Sequence, residues 1–283
     1  MKVLVLGCTG MLGSAVTKYL VELGHDVSVT CRSKSFPFAI KWLGDIARIV
    51  PKVMIFDPVV QDIKDFRVSE FEYVINCIGV IKPAVKVAGF VDTIEINGVF
   101  PHKLAKWCGV YNDVGCINIT TDCVYSGTKG GYIETDKHDV DDLYGRSKSI
   151  GEDTEFGMTI RTSIVGEEIH NNASLIEWAK LMCNQRVNGF TNHFWNGITT
   201  TQYAEVVDQI MTNGMFNRGL FHVFSPTPVT KFRMLELFNQ RFNLGLRIDP
   251  MMADISVDRT LSTVKNLNEK LHIPEFECQV AEM

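Results

Sequence analysis

The chain opens on Lys2 to Leu6 (KVLVL), five residues without polar alternation, the pattern of a strand buried on both faces in a parallel sheet. Gly7, Gly10 and Gly13 follow. From Met11 to Leu23 the apolar residues Leu12, Val16, Tyr19, Leu20 and Leu23 recur at helical spacing and end at Gly24, a helix stop. Asp26 to Cys31 (DVSVTC) reads as the next strand, and Val53 to Phe56, Tyr73 to Cys77 and Val114 to Thr120 as three more, with a long helix from Val91 to Cys108 between the last two. A helix over Asp142 to Phe156 and a strand over Met158 to Arg161 continue the rhythm. Strands alternating with helices predict an α/β fold, a doubly wound parallel sheet of Rossmann type, over residues 1–161.

Beyond Thr162 the alternation loosens. Leu175 to Cys183 and Gln202 to Met211 read as helices, Leu220 to Phe224 as a strand, and Asn and Gly become frequent between them. Residues 162–283 are expected to form mainly a smaller substrate-binding portion packed on the sheet. Asn188 to Thr201, rich in amides, hydroxyls and aromatics, reads as a loop.

With 283 residues and 46% hydrophobic content, the chain can bury the core of one large or two coupled domains. A net charge of -5 and the lack of a basic run argue against a nucleic acid polymer or an anionic membrane as partner. The eight cysteines are scattered without CxxC or metal-ligand spacing, so no metal site or disulfide framework is expected, and a reducing, cytoplasmic compartment fits. No apolar run of about eighteen residues suggests a membrane span. The first sixteen residues superficially resemble a secretory leader, but three glycines punctuate them and they read as structure.

The glycines carry the first candidate chemistry. Gly7-Cys8-Thr9-Gly10-Met11-Leu12-Gly13 lies between a predicted strand and a predicted helix, where the backbone can turn sharply and meet a pyrophosphate at a helix N-terminus. Gly7, Thr9, Gly10, Met11 and Leu12 are the expected cofactor contacts, against a bare turn with no ligand. The spacing is GxxGxxG, where the common dinucleotide fingerprint is GxGxxG. The second strand ends in Cys31, Arg32, Ser33 and Lys34, with no acidic residue there for a ribose 2′-hydroxyl. Two cations and a hydroxyl suit a 2′-phosphate, which favours NADP(H) over NAD(H); the alternative is that they are solvated surface charges. Asp57 either meets an adenine amino group or starts a turn with Pro58. In LYGRSK, Tyr144 and Lys148 stand i and i+4 on one helical face, and a nearby ammonium would draw a phenol below its ordinary pKa of about 10.

GCTGMLG, NCIG (Asn76 to Gly79), the Asn97 helix, TTDCVYSG (Thr120 to Gly127), YGRSK and RTSIVG (Arg161 to Gly166) occur in this order. The ordered set resembles the extended short-chain dehydrogenase/reductases, and within them the dTDP-4-dehydrorhamnose reductase group of nucleotide-sugar enzymes. The likeness runs nearly end to end, through Gly219 to Phe238 and Asp258 to Leu271. It implies Tyr144 as general acid toward an alkoxide formed by hydride transfer, Lys148 as its tuning cation and a ribose ligand, and Thr121 as the hydroxyl polarising the carbonyl, with Thr120 its competitor. It further implies that Cys77, Ile78 and Gly79 pass the ribose and nicotinamide and that Asn97 supports Lys148 through water. Asp122 and Cys123 fall beside the substrate.

The group usually has STDYVFDG where this chain has TTDCVYSG, and often Trp where it has Ile164, so the sugar pocket differs. Trp195 is expected to stack on a base or sugar, with Asn196 and Thr199 bonding to it, and His170, Asn171 and Asn172 to approach the nucleotide sugar; ordinary packing is the alternative. The implied activity is NADPH-dependent reduction of the C4 keto group of a UDP- or dTDP-linked 4-keto-6-deoxyhexose, with a homodimer as a compatible assembly. An epimerase or dehydratase of the same fold and a non-catalytic binding subunit are the competing functions.

Overall fold

The computed structural model describes residues 1–46, 52–170 and 173–283. In the first strand, β1 (Lys2–Leu6), side chains alternate between faces and both faces are covered. Val3 and Val5 join a core with Leu12, Val16 and Leu20, whereas Leu4 and Leu6 join another with Phe56, Val74, Phe100 and Leu104. The unbroken apolar run read from the sequence thus reflects a strand enclosed between two layers.

The other strands are β2 (Asp26–Cys31), β3 (Lys52–Ile55), β4 (Tyr73–Asn76), β5 (Gly115–Thr121), β6 (Met158–Thr162) and β7 (Gly219–His222). They form a seven-stranded sheet in the order β7-β6-β5-β4-β1-β2-β3, with every pair parallel. The order reverses between β1 and β4, and open α/β sheets bind ligands at the carboxyl ends beside such a point. Two helices, α1 (Met11–Glu22) and α2 (Phe36–Ile46), follow β1 and β2.

Three expectations need correction. The single helix over Val91 to Cys108 is instead α3 (Val85–Ile94), a π-helical turn at Glu95–Val99 and α4 (Phe100–Gly109). Pro101 lacks the N–H that would bond the Asn97 carbonyl four residues back, so the regular ladder cannot pass this point. The helix over Asp142 to Phe156 is shorter, α5 (Leu143–Ile150). Asp142 caps its start by accepting from Gly145 N–H at 2.9 Å, and Asp153 accepts from the N–H groups of Phe156 and Gly157 to build the turn beyond it. Asn188 to Thr201 is not a loop. It contains strands at Arg186–Phe190, His193–Trp195 and Ile198–Thr199, and Arg186–Phe190 pairs in parallel with Arg247–Met251, a partner about sixty residues away.

The later part of the chain has its own core, with Val165, Ile176, Trp195, Leu235, Phe238 and Phe276 buried together between α6 (Leu175–Leu181), α8 (Lys231–Phe242) and the C-terminal helix Phe276–Ala281. It also returns to the first part. Between α6 and α8, α7 (Thr200–Thr212) packs on α1, and β7 completes the large sheet. Among the described residues no helix is long and apolar enough to cross a membrane.

Candidate active site

At the carboxyl end of β1, Gly7 takes φ +81°, and its N–H and that of Cys8 donate to the Thr30 carbonyl at 3.1 and 2.9 Å. A Cβ on Gly13 would overlap the Gly7 carbonyl, so only glycine lets α1 begin this close to the loop. Gly10 is the N-cap and supplies no side-chain acceptor, and the first turn has no acidic residue, so the helix presents uncapped N–H groups there. Thr9, Gly10 and Met11 border open space, while the Leu12 side chain is buried in the core and leaves only its backbone for a ligand. This cradle fits a dinucleotide pyrophosphate.

Arg32, Ser33 and Lys34 are exposed directly after β2, on a short 3₁₀ turn. Asp57 is engaged locally: its carboxylate accepts from Val59 N–H at 3.1 Å and its carbonyl from Val60 and Gln61, forming the turn with Pro58. After β4, Asn76 donates to Asn118 at 2.9 Å and accepts from Ile78 N–H at 3.1 Å, fixing the Cys77-Ile78-Gly79 turn. Burial pushes the Cys77 thiol well above its ordinary pKa, which keeps it un-ionised and inert. Asn97, on the π-turn, accepts from Val80 N–H at 2.8 Å and donates to the Val80 carbonyl at 2.9 Å and to the Ser147 hydroxyl at 3.1 Å. It therefore ties the Gly79 turn directly to α5.

Tyr144 and Lys148 lie on α5, against the end of β5. Lys148 is buried and its ammonium donates to the Ile119 carbonyl at 2.8 Å. Desolvation draws Lys148 down to about 8, opposed by the Glu152 carboxylate. The expected lowering of the Tyr144 phenol by Lys148 is not what the surroundings produce. Burial raises the phenol above its ordinary value, with Cys123, Asp122 and Asp142 adding to the rise, and the Thr121 hydroxyl pulls the other way. A phenol so placed holds its proton firmly.

Thr121 accepts from Cys123 N–H and donates to Asp122, both at 3.1 Å, while the neighbouring Thr120 hydroxyl is turned to Glu152 at 3.1 Å. Of the two threonines, Thr121 is the one that meets Tyr144. Burial raises the Asp122 carboxyl, against the pull of Arg259, Thr121 and Lys231, and pushes the Cys123 thiol up to about 12.

Two expected substrate residues stand elsewhere in the structure's economy. Thr199 is buried away from the surface, and its hydroxyl caps α7 by accepting from Gln202 N–H at 3.1 Å. Asn196 likewise exchanges both its amide groups with the Leu261 backbone at 2.8 Å. Trp195 packs edge-on against Phe276 at 4.8 Å between ring centres, yet its other side borders a cleft. His170 stacks on Phe38 at 5.1 Å. Asn171 and Asn172 lie outside the described residues.

The cleft is about 170 Å³ and runs from Met11 past Ile81 and Ser163 to Trp195 and Lys231. Lys231, which the sequence reading overlooked, sits at the first position of α8 with its ammonium 5.5 Å from the Trp195 ring centre and facing Asp122. A signal was available, because a cation at a helix N-terminus opposes the helix dipole and invites a reason other than helix stability. Arg259, also overlooked, donates to the carbonyls of Tyr125 and Ser126 at 2.8 and 3.1 Å and holds the strand-end loop in place.

The model of the RmlD substrate binding domain family matches residues 1–257. "Probable low-salt glycan biosynthesis reductase Agl14" of Haloferax volcanii is 27% identical over 237 residues, covering 80% of this chain and 75% of that protein. Methionine adenosyltransferase 2 subunit beta of Danio rerio is 25% identical over 262 residues, covering 86% and 74%. The crystal structure of dTDP-4-dehydrorhamnose reductase from Bacillus anthracis in complex with NADP superposes with a TM-score of 0.71 at 15% identity, covering 99% of this chain and 97% of that one. With a parallel sheet of Rossmann type and a family match over residues 1–257, the chain belongs to the RmlD substrate binding domain family.

Proposed function

We propose that the chain reduces the C4 keto group of a nucleotide-linked 4-keto-6-deoxyhexose with NADPH. The observation that carries this reading is the convergence of Thr121, Tyr144 and Lys148 at the carboxyl edge of the sheet, the edge that also carries the glycine loop. The bound cofactor supplies a hydride. The glycine loop and first turn of α1 receive its pyrophosphate, Arg32, Ser33 and Lys34 its 2′-phosphate, and the Cys77-Ile78-Gly79 turn its ribose and nicotinamide. Thr121 donates to the substrate oxygen and so favours charge on it, and Tyr144 delivers its phenolic proton to that oxygen. Lys148 supplies the positive charge that balances the phenolate left behind.

The complex of the Bacillus anthracis reductase with NADP supports a nicotinamide cofactor, and the exposed cations after β2 support the phosphorylated form. Arg32→Ala together with Lys34→Ala is expected to raise the KM for NADPH by about tenfold or more while leaving NADH nearly unchanged, since roughly 1.4 kcal/mol corresponds to each tenfold. Equal effects on both cofactors would remove the basis for the preference.

Lys231 is read as the substrate's cation. It borders the cleft partly buried, donates to the Met234 sulfur at 3.6 Å and faces Asp122, yet among the described residues no carboxylate lies within ion-pairing distance of its ammonium, which leaves its charge to a diphosphate. Lys231→Met is expected to raise the substrate KM by about tenfold or more, with kcat changed less, by loss of a charge-assisted bond. An unchanged KM would exclude Lys231 from substrate binding.

The whole reading is tested by incubating the protein with NADPH and a panel of UDP- and dTDP-linked sugars, following loss of cofactor absorbance. Oxidation is expected only with 4-keto-6-deoxy sugars, and no turnover across the panel would reject the activity. The match to a methionine adenosyltransferase beta subunit favours one second reading, a non-catalytic subunit that binds the same ligands. That reading expects cofactor binding without turnover.

A further inference from the structure

Behind the site lies a buried charge that no step above uses. The Arg161 side chain is wholly enclosed. Its Nε donates to Glu152 at 2.9 Å, one terminal nitrogen to the other Glu152 oxygen at 2.5 Å and to His138 Nε2 at 2.7 Å, and the second to the Tyr125 hydroxyl at 2.5 Å and to His222 Nε2 at 2.8 Å. A guanidinium only donates. Both imidazoles must therefore offer a lone pair at Nε2 and carry their proton on Nδ1, where His222 donates to the Ser262 carbonyl at 2.6 Å and His138 to the Ser149 hydroxyl at 2.5 Å. Protonating His222 would set an N–H against the guanidinium in a closed space, and protonating the more exposed His138 would take away the lone pair Arg161 uses and turn the new N–H to Glu152 at 3.4 Å.

The same network touches the active site through β5. Glu152 accepts from the Thr120 hydroxyl at 3.1 Å. On one side of Thr120 stands Ile119, whose carbonyl holds the Lys148 ammonium at 2.8 Å, and on the other Thr121. Glu152 thus sits behind Lys148, four residues on in the chain and across the end of one strand.

We propose that Glu152, locked by Arg161 and by the neutral rings of His138 and His222, is a positioning residue that keeps Lys148 charged and directed at the site. This inference rests on the assignment of Lys148 to the cofactor. Burial draws the Lys148 ammonium down, and with the Glu152 carboxylate resisting the fall it stands at about 8. The charged groups facing the rings are Arg161, Glu134 and Glu152 at His222, and Glu152, Arg161 and Asp139 at His138. The network is consequently limited on both sides, by loss of the Lys148 proton in alkali and by gain of an imidazole proton in acid.

The test reads NADPH binding by nucleotide fluorescence across pH for the wild type, Glu152→Gln, Glu152→Asp and the double variant His138→Gln/His222→Gln, with melting temperature alongside. In the wild type, affinity is expected to fall as pH rises past about 8. In Glu152→Gln the fall begins about one pH unit lower, a complex about fivefold weaker at the wild-type midpoint and approaching about tenfold above it; Glu152→Asp, which keeps the charge, restores most of the wild-type profile. The double variant His138→Gln/His222→Gln, whose side-chain oxygens still accept from Arg161, keeps its affinity in acid where the wild type loses it. Superimposable profiles for wild type and Glu152→Gln would overturn the proposal. Should Glu152→Gln fail to fold, an acid limb in the double variant His138→Gln/His222→Gln identical to the wild type would overturn it equally. If NADPH does not bind the wild type at all, the assignment of Lys148 to the cofactor is wrong, an outcome distinct from either.

Discussion

Tyr144→Phe is expected to lower kcat by about 100- to 10,000-fold, the usual weight of a general acid, while the KM for both substrates changes little. The hydroxyl is the one group removed, and the ring continues to fill its half-buried place on α5. Burial pushes the phenol above its ordinary pKa, so the acid is fully protonated at neutral pH and needs no priming. The alkaline limit on turnover is set first by Lys148, held near about 8, and only then by the phenol. Steady-state rates of NADPH oxidation with a keto sugar nucleotide measure the effect. Turnover within a few-fold of the wild type would remove Tyr144 from the acid role, and an unchanged biological effect without turnover would point to the binding subunit.

The second large effect is structural. Gly13→Ala is expected to destabilise the fold by about 3 kcal/mol, at the upper end of the overpacking range, and to abolish cofactor binding. The added methyl would fall on the Gly7 carbonyl, which is backbone and cannot swing aside as a side chain can. Either α1 moves off β1, uncovering Leu12 and Val16, or the loop gives up its bonds to the Thr30 carbonyl. Thermal unfolding should show a fall in Tm of roughly 6–12 °C. Gly44→Ala is the control: it lies on α2 with open space around it, and the same methyl there should stabilise by about 0.5–1 kcal/mol. Equal melting temperatures for the two variants would refute the close-approach argument.

These contrasts explain what could be read from the chain without its fold. β1, the glycine loop and the pairing of Tyr144 with Lys148 are local, within a strand, a turn or one helical repeat, and their residue types have few other uses. Arg32, Ser33 and Lys34 were legible for the same reason, since the end of a strand is marked by where its apolar run stops. The strands inside Asn188 to Thr201 were not legible, because pairing with Arg247–Met251 depends on a contact that no window of sequence contains. Trp195 was read as a group that stacks on a base or sugar; the structure sets it beside a cleft and packs it on Phe276, eighty-one positions on, a contact that no window of sequence contains. Thr199 and Asn196 looked like ligand groups because a hydroxyl and an amide look the same whether they cap a helix or face solvent. Arg161 stood in a quoted motif with no role at all. Its meaning came only when Glu152, His138 and His222, from four different parts of the chain with it, closed around one guanidinium.

The π-turn at Glu95–Val99 has a consequence for how this part of the chain can change in length. One extra residue per turn is equivalent to an insertion that the helix has absorbed, and its removal would rotate everything on the N-terminal side by about 100° relative to α4. Asn97 would then lose Val80 and Ser147 together, and the Asn97 carbonyl, left free by Pro101, would no longer meet the backbone of Gly151 at the end of α5. A deletion that made the helix more regular would uncouple the Cys77-Ile78-Gly79 turn from α5. Length is therefore constrained here more tightly than residue identity, and the irregular turn acts as the spacer that sets the two in phase.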